Sequence, residues 1–205
     1  MSADTMRRNL QRFLLLVATC VVTAPAFAQR GAMTVPRNLD QLTDRAADIL
    51  RGTVVSARVE KHPELTNLDT IVVTLRVQET LKGQSSGTFT FRQYIWDIRD
   101  RRDAAGYRKG QQYLLLMNAP SRHGLTSPAG MELGRFRLSR DATGREVAVN
   151  GRGNVLLMSG LSSELAKSGV VLSPSSMGLV SKHQKGAIAA DELAGLIREL
   201  VQEGR

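Results

Sequence analysis

The sequence predicts a mainly β domain of barrel or sandwich type, with one amphipathic helix at its C-terminal end. Three observations predict it. Apolar residues alternate with period two in short segments between residues 46 and 158, turn residues separate those segments, and a clear helical period is confined to residues 190–205. Strands alternating with helices, the pattern of parallel-sheet enzymes, are not what the chain shows. The chain has 205 residues, of which 42% are hydrophobic and 23% charged. That is enough apolar surface for a core and too much for a disordered chain.

Taken in order, the first segment is an address. Arg7, Arg8 and Arg12 precede an apolar run from Phe13 to Val22, and Ala26-Phe27-Ala28 supplies small residues for cleavage. This is the layout of a secretory signal peptide over residues 1–28, cut before Gln29. The run is too short to span a bilayer, which takes about 20 apolar residues. Val17-Ala18-Thr19-Cys20 is similar to a lipoprotein cleavage box, with Thr19 in place of the usual Gly, Ala or Ser, so acylation at Cys20 is the minor alternative. The Arg7-Arg8 pair suggests twin-arginine export, but Gln11 stands where an apolar residue belongs. The expected mature protein is exported, to the periplasm or beyond, and has no transmembrane segment. It keeps no cysteine, which removes disulfides, cysteine-bound zinc and thiol catalysis together.

Residues 29–45 read as a flexible lead-in, with a short helical turn over Gln41 to Ala47. From Ile49 to Val59 the period is two, and Gly52 in its middle marks a bulge or bend. After a polar connection, Ile71, Val73, Leu75 and Val77 face inward, while Thr70, Val72, Thr74, Arg76 and Gln78 face mostly out. Lys82-Gly83 starts a turn, and Phe89 and Phe91 carry a third strand. Tyr113 to Met117 is an unbroken apolar run, as expected of a strand covered on both faces. Phe136 with Leu138, then Val147 with Val149, carry two more strands. Asn150-Gly151, a favoured hairpin dipeptide, predicts that Val155 to Met158 pairs back as the seventh. Residues 159–189 read as a linker, most exposed at Ser173 to Ser176. Leu193, Leu196, Ile197, Leu200 and Val201 then form one helical stripe, with Asp191 and Glu192 suited to the helix N-terminus.

The run Ala47-Asp48-Ile49-Leu50-Arg51-Gly52-Thr53-Val54-Val55, the strand Ile71 to Val77 followed by Glu79-Thr80-Leu81-Lys82-Gly83, and Tyr113-Leu114-Leu115-Leu116 together resemble the netrin-type domain of tissue inhibitors of metalloproteinases. The resemblance covers residues 46–158 and implies an OB-fold-like Greek-key barrel flanked by helices. Those inhibitors place an amino-terminal cysteine on the protease zinc. Here the expected terminus is Gln29 and no cysteine follows, so the resemblance carries the scaffold and not the inhibitory residues.

Reactive chemistry finds little support. His62, His123 and His183 each sit in a loop-like segment without a partner at ligand spacing, so solvated histidines and no metal or cofactor are expected. Gly160-Leu161-Ser162-Ser163-Glu164 lacks the closing glycine of a nucleophile elbow, and Ser163 and Lys167 are four apart where S-x-x-K needs three. Gly151-Arg152-Gly153 leads into an expected strand rather than a phosphate-binding helix.

Charge is the remaining clue, at a formal net +9. Between Arg92 and Gly110, the basic residues Arg99, Arg101, Arg102 and Arg108 are interleaved with Tyr94, Trp96 and Tyr107 and diluted by Asp97, Asp100 and Asp103. Aromatics beside arginines are how OB-folds hold single strands. Nucleic acid is disfavoured for an exported protein, and an anionic glycan or an envelope protein fits better. A second basic set, Arg122, Arg135, Arg137, Arg140, Arg145 and Arg152, fits edge protection on a strand. The expectation is therefore a non-enzymatic binding or accessory module of the cell envelope, with Tyr94 and Trp96 as anchors and Arg99, Arg101, Arg102 and Arg108 as charge contacts. An inhibitor or chaperone of a co-exported protease is the competing class, ahead of a hydrolase with a dispersed site.

Overall fold

The computed structural model describes residues 35–203. The signal peptide, the cut before Gln29 and the Cys20 alternative lie outside the described residues.

The chain starts with helix α1 (Leu39–Arg45), entered through a capping box in which Asn38 and Gln41 exchange hydrogen bonds. Leu39 and Leu42 are buried, and the Leu39 N–H donates to the Leu157 carbonyl. Residues 38–45 are thus built into the core and are not a flexible lead-in. Seven strands follow: β1 (Asp48–Lys61), β2 (Asp69–Lys82), β3 (Thr88–Tyr94), β4 (Gln112–Met117), β5 (Arg135–Arg140), β6 (Glu146–Asn150) and β7 (Ile188–Ala189), with a single helical turn, α2 (Asp100–Asp103), between β3 and β4. They form one antiparallel sheet in the order β3-β2-β1-β4-β5-β6-β7.

The expected closed barrel is corrected by this order, because the row has two ends and the sheet is not closed. At one end, the loop after β4 takes the free edge of β3, with Thr126 donating to the Arg92 carbonyl at 2.8 Å. At the other end, β7 is two residues long and passes directly into a helix. The β3 edge is thereby met at Arg92 and the β7 edge is kept short, and the two are not joined to each other.

The sheet separates two cores, and β4 serves both. Leu114 and Leu116 join one cluster, and Tyr113, Leu115 and Met117 join the other, as a period of two requires. The first cluster packs α1, β5 and the C-terminal helices. The second gathers Val54, Ile71, Val73, Leu75, Phe91 and Tyr107. On β2 the outward face is only partly wet: Thr70 and Val72 are buried, since Thr70 Oγ1 donates to the Glu60 carbonyl and accepts from Arg92 Nη1. Gly52 meets a physical demand. The β1–β2 register shifts beside it, and a Cβ there would stand 2.8 Å from the Arg76 carbonyl oxygen. The Lys82-Gly83 turn also closes on α1, because Lys82 Nζ donates to the Thr43 and Asp44 carbonyls at its C-terminal end.

The hairpin expected at Asn150-Gly151 does not form. The Asn150 N–H donates to Asn154 Oδ1, while Asn150 Oδ1 accepts from the N–H groups of Arg152 and Asn154. Asn154, at φ 57°, then donates from its amide to the carbonyls of Ala148 and Gly186. The two asparagines turn the chain away, residues 151–160 run as turns, and Ile188–Ala189 pairs with β6 in place of Val155 to Met158. The stretch expected as a linker, 159–189, holds α3 (Leu161–Ser168) and α4 (Pro174–Lys182), which bury Leu161, Leu165 and Val180. Ser176, expected to be exposed, is buried against Glu199. The C-terminal helix, here Ala190–Gln202, buries Leu193, Leu196, Ile197 and Leu200 in the first cluster. Each such side chain is worth about 1.5–3 kcal/mol. Among the described residues, no helix is long and apolar enough to cross a membrane.

Candidate functional site

The segment between β3 and β4 is pinned from below. Tyr107 is 3% exposed and packs edge-on to Phe91 at 5.7 Å and against Tyr113 at 5.3 Å. Ala104 and Ala105 adopt left-handed backbone at φ 51° and 54°, which folds the chain back after the single helical turn Asp100–Asp103 so that Tyr107 points inward. The excursion is therefore a loop with its own anchor, and Tyr107 belongs to the core rather than to a surface row of aromatics.

The six residues expected to bind a ligand are placed unevenly. Tyr94 and Trp96 form an exposed edge-on pair with centroids 5.1 Å apart. Arg99 is paired with Asp97, and Arg101 Nη1 lies 3.0 Å from Asp69 Oδ2. Exposed pairs of this kind add little stability, and they spend the charge locally. Arg102 and Arg108 are exposed and form no ion pair with any described residue. Of the four arginines, Arg108 lines a cleft.

That cavity is a cleft of about 420 Å³ between the loop and the β4–β5–β6 surface, lined by Arg108, Gln111, Tyr113, Glu132, Arg135 and Arg137 among others. Arg135 and Arg137 are two apart on β5 and so share a face. Strand β5 lies between β4 and β6, so edge protection does not account for its arginines. Arg135 is the fixed member. Its Nη2 lies 2.7 Å from Glu132, its Nη1 donates to the Ala105 carbonyl at 2.6 Å, and its guanidinium stands 4.8 Å over the Tyr107 ring. Burial works against its charge, but Tyr107 and Glu132 more than offset this and hold the guanidinium protonated. Burial also pushes the Tyr107 and Tyr113 hydroxyls up, so both stay neutral, and Tyr113 Oη donates to the Gly106 carbonyl. Arg137 is exposed and has no ion-pair partner among the described residues. The cleft wall thus carries three guanidiniums against one carboxylate, an arrangement that attracts an anion.

Two of the three histidines expected to be solvated are not: Nε2 of His183 is buried without a hydrogen-bond partner and burial lowers its pKa, and His62 is buried outright. His62 is 2% exposed, accepts at Nδ1 from the N–H groups of Glu64 and Leu65, and donates from Nε2 to the His123 carbonyl at 2.8 Å. It is a structural clamp for the β1–β2 connection, not a solvated side chain. No group of three or more metal-ligating side chains is found among the described residues. Ser163 and Lys167 are exposed on α3, where Ser163 Oγ donates to the Gly160 carbonyl.

Reading the sequence alone missed Arg135 and Arg137 as partners of Arg108. The signal was the arginine pair two apart on a strand, which becomes informative only once that strand is known to be internal. No family model, curated protein or solved structure matches the chain.

Proposed function

We propose that this chain is an exported, non-enzymatic binding module of the cell envelope that holds the acidic groups of an anionic glycan in the arginine cleft. The observation that carries the reading is the pairing state of the cleft: Arg108 and Arg137 face it without carboxylate partners, while Arg135 is locked beside them. Guanidiniums of that kind bind carboxylate or sulfate in two-pronged fashion, and the fixed member loses little freedom on binding. Trp96, which lines a small cavity sharing Glu132 and Arg135 with the cleft, and Tyr94 edge-on to it add exposed aromatic surface. An OB-related scaffold of netrin-like type, left open, is part of the proposal. The spatial order β3-β2-β1-β4 is that of a Greek key and supports it.

The test is binding of a hyaluronan tetrasaccharide, an acidic glycan fragment, at two ionic strengths. Affinity should fall as salt rises and should fall at least tenfold in the double variant Arg108→Ser, Arg137→Ser. Equal affinity in both proteins would refute the proposal.

A further inference from the structure

The β1–β2 hairpin outruns the strand beside it. Strand β4 pairs with β1 only from Asp48 to Thr53, and Val54 makes the last bonds on that side, its N–H donating to the Gln111 carbonyl and its carbonyl accepting from Gly110. Past the register shift at Val55, β1 and β2 pair regularly from Ser56 to Lys61. Among the described residues, no strand lies on the other side of that stretch.

Two hydrogen bonds fix the direction of its backbone groups. The His62 N–H donates to the Leu68 carbonyl at 2.8 Å, one step beyond the Lys61–Asp69 pair, so His62 faces β2. Facing alternates along an antiparallel strand. Glu60 and Arg58 therefore also face β2, while Lys61, Val59 and Ala57 turn their N–H and C=O groups outward. The far side of the sheet agrees, since Arg92 is bonded outward to Thr126, opposes Val72 on β2, and Val72 opposes Arg58. Of these outward groups, the Lys61 carbonyl has a partner, Arg92 Nη1 at 3.3 Å, and keeps a second lone pair.

Such an edge is a template for another strand unless charge guards it. Here the charges are spent within the molecule, because Arg58 pairs with Glu60 and Lys61 Nζ lies 2.9 Å from Asp69.

We propose that this edge pairs with the same edge of a second copy of the chain, antiparallel about a two-fold axis at Val59. The two Val59 residues then exchange both backbone bonds, and Ala57 of each copy does so with Lys61 of the other. Arg58 of each copy opposes Glu60 of the other, in the non-hydrogen-bonded pairs where side chains come closest. Neighbouring registers lack this complementarity. An axis at Arg58 sets the two Arg58 side chains against each other, and an axis at Glu60 does the same for the two carboxylates. A slip of one residue mates outward-facing with inward-facing groups. The charge pattern thus selects both a like partner and one register, as an isologous contact requires. Because β4 already holds β1 up to Val54, the ladder is short and buries less than the roughly 1,200 Å² of a standard interface, so the dimer is reversible. It is independent of the glycan reading.

The test is sedimentation velocity from about 10 to about 500 μM protein, a range that catches a small interface, joined with amide hydrogen exchange. The parent should pass from monomer to dimer, and exchange at Ala57, Val59 and Lys61 should slow as concentration rises while Arg58 and Glu60 stay unchanged. Arg58→Glu and Glu60→Arg should each weaken the dimer at least about tenfold, because each sets like charges across the axis. An equimolar mixture of the two variants should restore it, since one copy then offers two carboxylates to two guanidiniums on the other. A protein that stays monomeric, with those three amides fast throughout, would overturn the proposal and leave the edge to a foreign strand. A dimer indifferent to both substitutions would overturn it as well. Glu60→Arg also strips Arg92 of its carboxylate. If that variant fails to fold, Arg58→Glu, which alters an exposed side chain, and the alternating exchange pattern decide.

Discussion

Arg135 sits with its guanidinium carbon 4.8 Å from the centre of the Tyr107 ring, and this one contact joins an internal strand to the loop that covers it. The same arginine holds Glu132 and the Ala105 carbonyl, so strand, loop and the 3-10 turn at Met131–Leu133 meet at one side chain. The arginine cleft depends on its position.

Replacing Arg135 with Ala should therefore loosen the loop as well as remove a charge. The expected loss is about 2 kcal/mol, from a partly buried cation over an aromatic face together with a charged hydrogen bond. Urea unfolding should show a lower midpoint with an unchanged slope. A midpoint equal to the parent's would mean that the loop is anchored by Tyr107 alone.

The Asn150–Asn154 exchange makes a sharper case, because two effects can be separated. Asn154 is fully buried, left-handed, and bonded to Ala148 and Gly186. Both Asn154→Ala and Asn154→Gly lose those bonds, but only alanine keeps the backbone penalty of a positive φ. Asn154→Ala should be less stable than Asn154→Gly by about 1 kcal/mol, in the order opposite to ordinary helix positions. Thermal unfolding of the pair decides it, and the reverse order would contradict the described turn.

Much of the sheet was legible because its information is local. Residues such as Ile71, Val73 and Leu75 declare a strand by alternation alone, and Gly52 declared its bulge. What escaped was held by distant partners. The seventh strand depends on Asn154 reaching Gly186, and the cleft depends on a loop arginine meeting two from β5. Helices α3 and α4 were hidden by serines and glycines. Even so, Ser173 before Pro174 is a start signal, and Gly169 after Leu161 and Leu165 is a stop signal. Closure was inferred from strand count, which does not say whether the last edges meet.

Stability should depend on pH through Glu199. Burial alone would raise its carboxyl, but the Ser173 N–H and hydroxyl and the Ser176 hydroxyl, all donating to it, outweigh burial and lower it below the ordinary range. A carboxylate with a folded-state pKa below its unfolded value adds stability above the unfolded value and loses it as pH falls through the folded one. The gap in urea midpoint between the parent and Glu199→Gln should be full at pH 7 and shrink as pH drops below about 4.5. A constant gap between pH 7 and pH 3 would assign the effect to packing instead.

Gly52→Ala should destabilise by about 1–3 kcal/mol, since the new methyl group meets a backbone oxygen that cannot rotate away. Hydrogen exchange should locate the damage at the β1–β2 register shift, with raised rates there and unchanged protection in the C-terminal helix. Faster exchange in the helix instead would place the strain elsewhere.

The central claim is that the arginine cleft is where an anionic glycan binds, and backbone chemical-shift mapping with the hyaluronan tetrasaccharide tests it most directly. The account predicts the largest shifts at Arg108, Gln111, Arg135 and Arg137, with Trp96 following. Shifts concentrated on the α3–α4 face, with those residues unmoved, would contradict it.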